Sequence, residues 1–548
     1  PRATYVDDAI VGIIVVQKQH QTRREEIGLR LSRSCGSMKH SQPSDRMTQP
    51  EAMRTVEYLY GIDIVDGNDA WAMFCASADG DLVEISRLLE KDSRLVNSQY
   101  AYQFPLHLAT WQNQVESVRL LLDRGADIGH SRWWYRSWDR LLPLAESRGF
   151  TEIATMLEAT MESRFCYDSD FAAIAEAASV SDLNRVAALL NQAPAQVLAA
   201  DAKGQNLVHL AVTTHDRRLV DLALDSGADI NHRRADGMTP LLLAIHGDHL
   251  RRWTDSSAIR SWVMAGYLLS RGAEDELCVA AALGDEARAM DLLAAQPELA
   301  TQLNAARHSP LFYAAKAGQT KIVKLLLDRG ADPNSPEWNA ETGAALHGAS
   351  GENHLDVMEL LLRRGANPNS ELDSCGDCLT IVKHYHDGQH EKAHDLLRRY
   401  GARPAIYERS PADLIDELRR AATADELSFG AADYLSIILA HNEVESVDDC
   451  VRLSGQQLIT SLTAETGFPR SRAMVDRLIK DGLNIRATDW CGQTLLHLAA
   501  KSNVPGDLLQ ALVDHGADHE ARDLEFNATP REHAAMAGKL DNLKFLPD

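Results

Sequence analysis

Two thiols and three imidazoles crowd into one short stretch, CGDCLTIVKHYHDGQH, as Cys375, Cys378, His384, His386 and His390. Thiolate and imidazole are the ligands zinc takes in tetrahedral sites, and a C-x2-C step suits two of them. A second concentration, HSRWWYRSWDR at 130–140, sets Trp133, Trp134, Tyr135 and Trp138 among Arg132, Arg136 and Arg140. Its chemistry is recognition, because Trp, Tyr and Arg dominate interface hot spots. A third group, Arg251, Arg252 and Trp253, lies in HGDHLRRWTDSSAIRSW at 246–262, and single tryptophans Trp338 and Trp490 stand in NSPEWNAE and TDWCGQ. Histidine recurs at His107, His209, His347 and His497, each inside a similar phrase. No GxxxxGKS/T phosphate loop, G-x-S-x-G elbow or GxGxxG turn occurs. These enzyme constellations are therefore missing and no catalytic residue is expected. Paired acids such as Asp448 and Asp449 read as a solvated face.

The elements that must position these residues show themselves through a period. Leu-Leu followed shortly by Gly-Ala recurs in LLLDRGAD, LLSRGAE, LLLDRGADPN and LLLRRGANPN, with glycines at 125, 272, 330 and 365 and weaker copies around 227, 401 and 516. A second phrase opens each unit: YQFPLHLA, GQNLVHLA, DGMTPLLLA, HSPLFYAA, GAALHGA and GQTLLHLAA. Pro105, Pro240 and Pro310 suit the first turn of a helix, where a missing N–H costs no bond. Thr239, Ser309 and Thr494 can cap that turn. The glycine of Gly-Ala falls where a left-handed residue ends a second helix. Between these marks Leu, Val and Ala return at helical spacing, as in Val115, Val118, Leu121 and Leu122, which gives each unit an apolar face that only a neighbouring unit can cover.

The opening phrase resembles the ankyrin signature G-x-T-P-L-H-x-A, and the resemblance runs over roughly residues 68–548, fading between 403 and 480. It implies an all-α ankyrin-repeat solenoid of about fourteen helix-turn-helix units with short finger loops, some of them degenerate. It also implies that the signature histidines brace the turn by hydrogen bonding. In the same register Gly376 and Cys378 take the Gly and Thr places of the opening phrase, so the Cys/His cluster is expected to be a coincidence of the repeat, with no metal and no cofactor. Three stretches, 74–97, 174–198 and 278–300, lack the opening phrase and lie about three repeat lengths apart, so the array is expected to be built in triplets. Residues 67–402 and 485–548 are assigned to repeats, and 403–484 to degenerate repeats or a helical insert. The polar, non-periodic residues 1–66 are expected to be disordered, with a short helix near 50–60.

The totals limit what such an array meets. A formal charge of −23 and a pI near 5.3 argue against nucleic acid or an anionic membrane as partner and favour a protein with a basic surface. The eight cysteines are too dispersed for a secreted disulfide framework, and the apolar run Ala9 to Val16 is too short to span a bilayer. A cytoplasmic monomer is expected; a chain opening on Pro1 reads as a processed or truncated product. The reading is a scaffold or adaptor that binds a partner along a concave strip and through its fingers, at 130–140, 246–262, Trp338 and Trp490. A rival of the same class is a secreted or regulatory effector that inhibits an enzyme by binding. One of another class is a cryptic zinc-dependent or helical-insert enzyme.

Overall fold

The computed structural model describes residues 42–403 and 485–547, apart from gaps at 51–52, 61–62, 101–102, 129–137, 248–259, 338–339, 341, 373–375, 385–390, 487 and 502–505. Its framework is helical, with two small antiparallel hairpins among the described residues, Tyr58–Tyr60 with Asp63–Val65 and Glu371–Leu372 with Gly376–Asp377. Helices come in pairs. In the eighth pair Ser309 caps Pro310–Lys316 by accepting the Phe312 N–H at 3.0 Å, and Pro310 occupies the first turn as its fixed φ allows. Thr320–Asp328 then runs back and ends at Gly330, whose φ of 92° is open to glycine at little cost. Gly365 closes the ninth unit in the same way. Twelve units can be followed among the described residues, the last a helix, Pro530–Met536, followed by a 3-10 turn, Asn542–Phe545. The expected total of about fourteen includes chain at 404–484, outside the described residues.

The triplet rhythm is present. The first, fourth and seventh units each end in a 3-10 turn, Ser93–Asn97, Pro194–Leu198 and Pro297–Ala300, where the second, fifth, sixth and eighth to eleventh carry Gly-Ala. The chain also enters the fourth and seventh units without a finger hairpin, through 166–171 and 271–276. The first of those joints divides the core. Leu157 and Met161 at the end of the third unit belong to one buried core, and Phe171 and Ile174 at the start of the fourth belong to another. At the second joint the missing finger removes a spacer, and the sixth unit meets the eighth directly. His246 lies 5.4 Å from both the His308 and Phe312 rings, and its carbonyl accepts from Lys316 Nζ at 3.3 Å. Arg260 reaches farther, to a two-pronged pair with Glu352 of the ninth unit at 2.8 and 3.2 Å.

Residues 42–66, inside the segment expected to be disordered, carry a 3-10 turn, Pro43–Arg46, and the first hairpin in place of a helix near 50–60. Composition hid this because the apolar residues are few but well placed. Met53 and Val65 are buried in the core of the first three units, and Tyr58 donates its hydroxyl proton to the Gln99 carbonyl at 2.5 Å. No helix among the described residues is long and apolar enough to cross a membrane.

One buried charge pair fixes the finger of the sixth unit. Arg234 and Asp236 face each other through two parallel bonds of 2.8 Å with almost no exposure, beside Ala235, which joins the core of the first three units. Removing one partner of such a pair strands a buried charge, at about 3–5 kcal/mol. Asp236→Ala should lower the first unfolding transition in urea by about that amount, whereas a change in an exposed ion pair such as Glu176→Ala should move it by less than about 1 kcal/mol. The two midpoints, measured side by side, check this.

Candidate interaction surface

Histidines at the opening of the units hold one finger to the next. His497 Nε2–H donates to the Ala528 carbonyl at 3.0 Å, while Nδ1 accepts from the Thr494 hydroxyl at 2.8 Å and the Thr494 N–H at 3.1 Å. Both ring nitrogens are thus used by a neutral imidazole. Burial, ahead of the neighbouring His533, pushes its pKa down to about 4. His209 Nε2 meets the Met238 carbonyl of the following finger at 3.0 Å, and burial pushes this imidazole down to about 3. His107 Nδ1 accepts from the Phe104 N–H. In the last unit Glu532 takes the histidine's place, forming a reciprocal cap with Thr529.

Asparagines at the far end of the units make a second link that the period alone did not reveal. The Asn334 side chain accepts from the Asn367 N–H at 2.7 Å and donates to the Gly365 carbonyl at 2.8 Å. Asn369 repeats this with Arg403 and Gly401, and Asn97 with Asp127 and Gly125. The signal was legible in the endings ADPN and ANPN.

Of the residues expected to touch a partner, Arg132, Trp133, Trp134, Tyr135, Arg136, Arg251, Arg252, Trp253 and Trp338 lie outside the described residues, as does the side chain of Trp138. Trp490 is corrected. It is 8% exposed and packs edge-on to Tyr100 at 5.7 Å and near Phe74 at 6.3 Å. A finger tryptophan was expected to face solvent, but this one faces the first unit of its own chain. Among the Cys/His cluster, Cys375, His386 and His390 and the side chain of His384 lie outside the described residues. Cys378 is fully buried, its thiol pushed up to about 12 by desolvation and directed at the Ser370 carbonyl. That is a core thiol's environment.

Another group of ligand-type atoms lies elsewhere: His497, Asp523 and His533, within 4.8 Å of one another and all buried. His497 has no nitrogen to spare, and Asp523 accepts from the Ala528 and Phe526 N–H groups at 3.0 and 3.1 Å while pairing with His533 at 3.2 Å. These groups hold the last finger together and do not fit a metal.

That finger and the one before it rest on the first helices of units one to three. Besides Trp490, Leu524 enters the core of those units, its carbonyl accepting from Gln112 Nε2 at 2.5 Å. Arg148 lies over the Phe526 ring at 5.3 Å and donates to the Trp111 carbonyl at 3.2 Å. Arg46 ties the seam by donating to the Asp523 carbonyl at 3.1 Å and to Asn527 Oδ1 at 2.9 Å. Desolvation lowers the pKa of both arginines, against the opposing pull of Asp523. Farther along, beside the 248–259 gap, Trp262 and Val263 stand exposed at 46% and 72%.

A stack of helix pairs with finger loops, pinned by buried neutral histidines, defines a repeat solenoid. The repeats are ankyrin repeats: a model of three copies matches residues 277–371, and single-repeat models match 103–132 and 491–518. The chain thus carries ankyrin repeats in its first, central and last described parts. It is also similar to the crystal structure of the human ASB11 ankyrin repeat domain, at 21% identity over 42% of this chain and 99% of that one, with a TM-score of 0.24.

Because burial depresses the folded pKa of His209 and His497 below the ordinary 6.5, only the unfolded chain takes up their protons as pH falls from about 6.5 toward about 4. Their contribution is fully present above 6.5 and is lost through that window, on the order of 3 kcal/mol for each. His209→Asn should therefore flatten the fall in thermal midpoint between pH 6.5 and pH 4 relative to the parent chain. Parallel curves would show that His209 is not held neutral.

Proposed function

We propose that the chain is a protein-interaction scaffold or adaptor, and that its partner docks on the fingers and first helices of units six to nine. Ankyrin repeats are generally protein–protein interaction modules, so the class of activity rests on the repeats themselves. The observation that carries the placement is that the corresponding strip of units one to three is filled by the chain's own last fingers. The strip beside the 246–262 insertion carries the exposed Trp262 and Val263 at its edge. Trp262 adds to Arg251, Arg252 and Trp253 an aromatic ring of the kind that anchors interfaces, and the loop at 130–140 supplies a second contact. The net charge of −23 favours a partner with a basic surface. A cytoplasmic monomer with no cofactor and no nucleic acid partner completes the reading.

Affinity purification with mass spectrometry names the partner. Two variants then test the placement, Trp262→Ala and the double change Trp134→Ala with Trp138→Ala. Each should lower partner recovery at least about tenfold, the loss of one hot spot, while the circular dichroism spectrum is unchanged. Recovery at the parent level from both folded variants would move the docking site elsewhere. Raising salt from about 0.05 to about 0.5 M should also weaken capture, because exposed charges are screened. Indifference to salt would remove the basic-surface claim.

A further inference from the structure

The surface that the last two fingers cover has the make-up of a binding site. Phe74 and Tyr100 cradle an indole. Gln112 Nε2 and Arg46 Nη1 each donate to a backbone carbonyl, of Leu524 and of Asp523. Arg148 covers the Phe526 ring and lies near the carboxylates of Glu525 and Asp523. The Thr48 N–H donates to the Trp490 carbonyl at 3.2 Å, and Gly492 comes so close to Arg46 that a Cβ there would lie 2.9 Å from the Arg46 carbonyl oxygen. Trp490 and Leu524 pack into the core of units one to three, and the last two units keep a separate core of their own around Leu496, Leu508 and Leu512. The fingers thus contribute to the first block side chains that their own units do not need.

We propose that the first-helix surface of units one to three is a docking site for an acidic, tryptophan-bearing loop, and that the last two units act as a tethered plug seated in it. The ligand class follows from the charges. Arg46 and Arg148 face Asp523 and Glu525 on the finger beside the tryptophan, so acidic residues next to the docked tryptophan are favoured and basic ones repelled, in contrast to the basic partner proposed for units six to nine. Any external loop competes with a plug whose tether keeps it at an effective concentration on the order of millimolar, so the apparent affinity is reduced by the open fraction. The site is silent until the plug is displaced.

The full chain tests this with a labelled cyclic peptide spanning Thr488–Thr494, two residues already paired across the finger in an antiparallel bridge, so that cyclisation keeps the loop's shape. The chain carrying Trp490→Ala and Leu524→Asp should bind it at least tenfold more tightly than the parent chain by fluorescence anisotropy. The same peptide with Trp490→Ala should bind neither. Hydrogen exchange in the helix Pro105–Trp111 should be faster in the variant than in the parent and slow again on adding the peptide. Because both changes lie outside the core of the last two units, exchange in the helix Leu495–Ala500 reports whether those units remain folded. If they do not, the plug change Phe526→Ala replaces the double variant, with the same expected direction. Equal peptide affinity in parent and variant, or binding to neither, overturns the docking site. Unchanged exchange at Pro105–Trp111 overturns the plug.

Discussion

No unit of this chain can bury its own apolar face, so everything depends on how one unit is fastened to the next. The fastening is a hydrogen bond from a neutral, desolvated imidazole to a carbonyl of the following finger, seen at His209 with Met238 and at His497 with Ala528. Apolar stacking supplies most of the stability but has no direction; the imidazole supplies direction. It sets the finger's distance from the first helix, and the asparagine links at the opposite end set the second point of the joint. At the joint between the fifth and sixth units both points are present, His209 with the Met238 carbonyl and Asn231 accepting from the Glu274 N–H at 2.9 Å.

The strip bends where fingers are absent. Entering the seventh unit without a hairpin, the chain brings His246 onto His308 and Phe312 and allows Arg260 to reach Glu352. At the entry to the fourth unit the core itself divides. The omission of a finger at the entries to the fourth and seventh units therefore shapes the array. The sixth unit's finger packs against the first block through Ala235, and Asp63 of the first hairpin comes within 3.7 Å of Arg307 in the eighth unit's finger. The last two units then close on the first three and fill that stretch of the strip.

Much of this was legible in the sequence. The proline at the first turn, the glycine after the second helix and the Leu-Leu spacing are local chemistry, and the structure places them as the period implies. The triplet was legible too, because the loss of an opening phrase can be seen without knowing what it does to the path. The fate of Trp490 was not. Its surroundings are decided by Phe74 and Tyr100, and Gln112 and Arg46 reach bonding partners 412 and 481 residues away. A periodic reading treats every finger as equivalent and therefore exposed. Residues 42–66 were misjudged for a related reason: Met53, Tyr58 and Val65 are too few to show a pattern, yet each meets a preformed surface. Trp262, at the end of the insertion, was legible only as part of that insertion.

The closing of the chain's end upon its beginning is the claim on which the division into filled and open strip rests. It is tested most directly by a double-mutant cycle across the seam, Arg46→Ala against Asn527→Ala, read as the opening free energy of the covered helix Pro105–Trp111 from hydrogen exchange. The guanidinium bond between these side chains, 2.9 Å long, predicts a coupling of about 0.5 kcal/mol or more. Additive effects, within about 0.3 kcal/mol, would mean that the two ends do not meet.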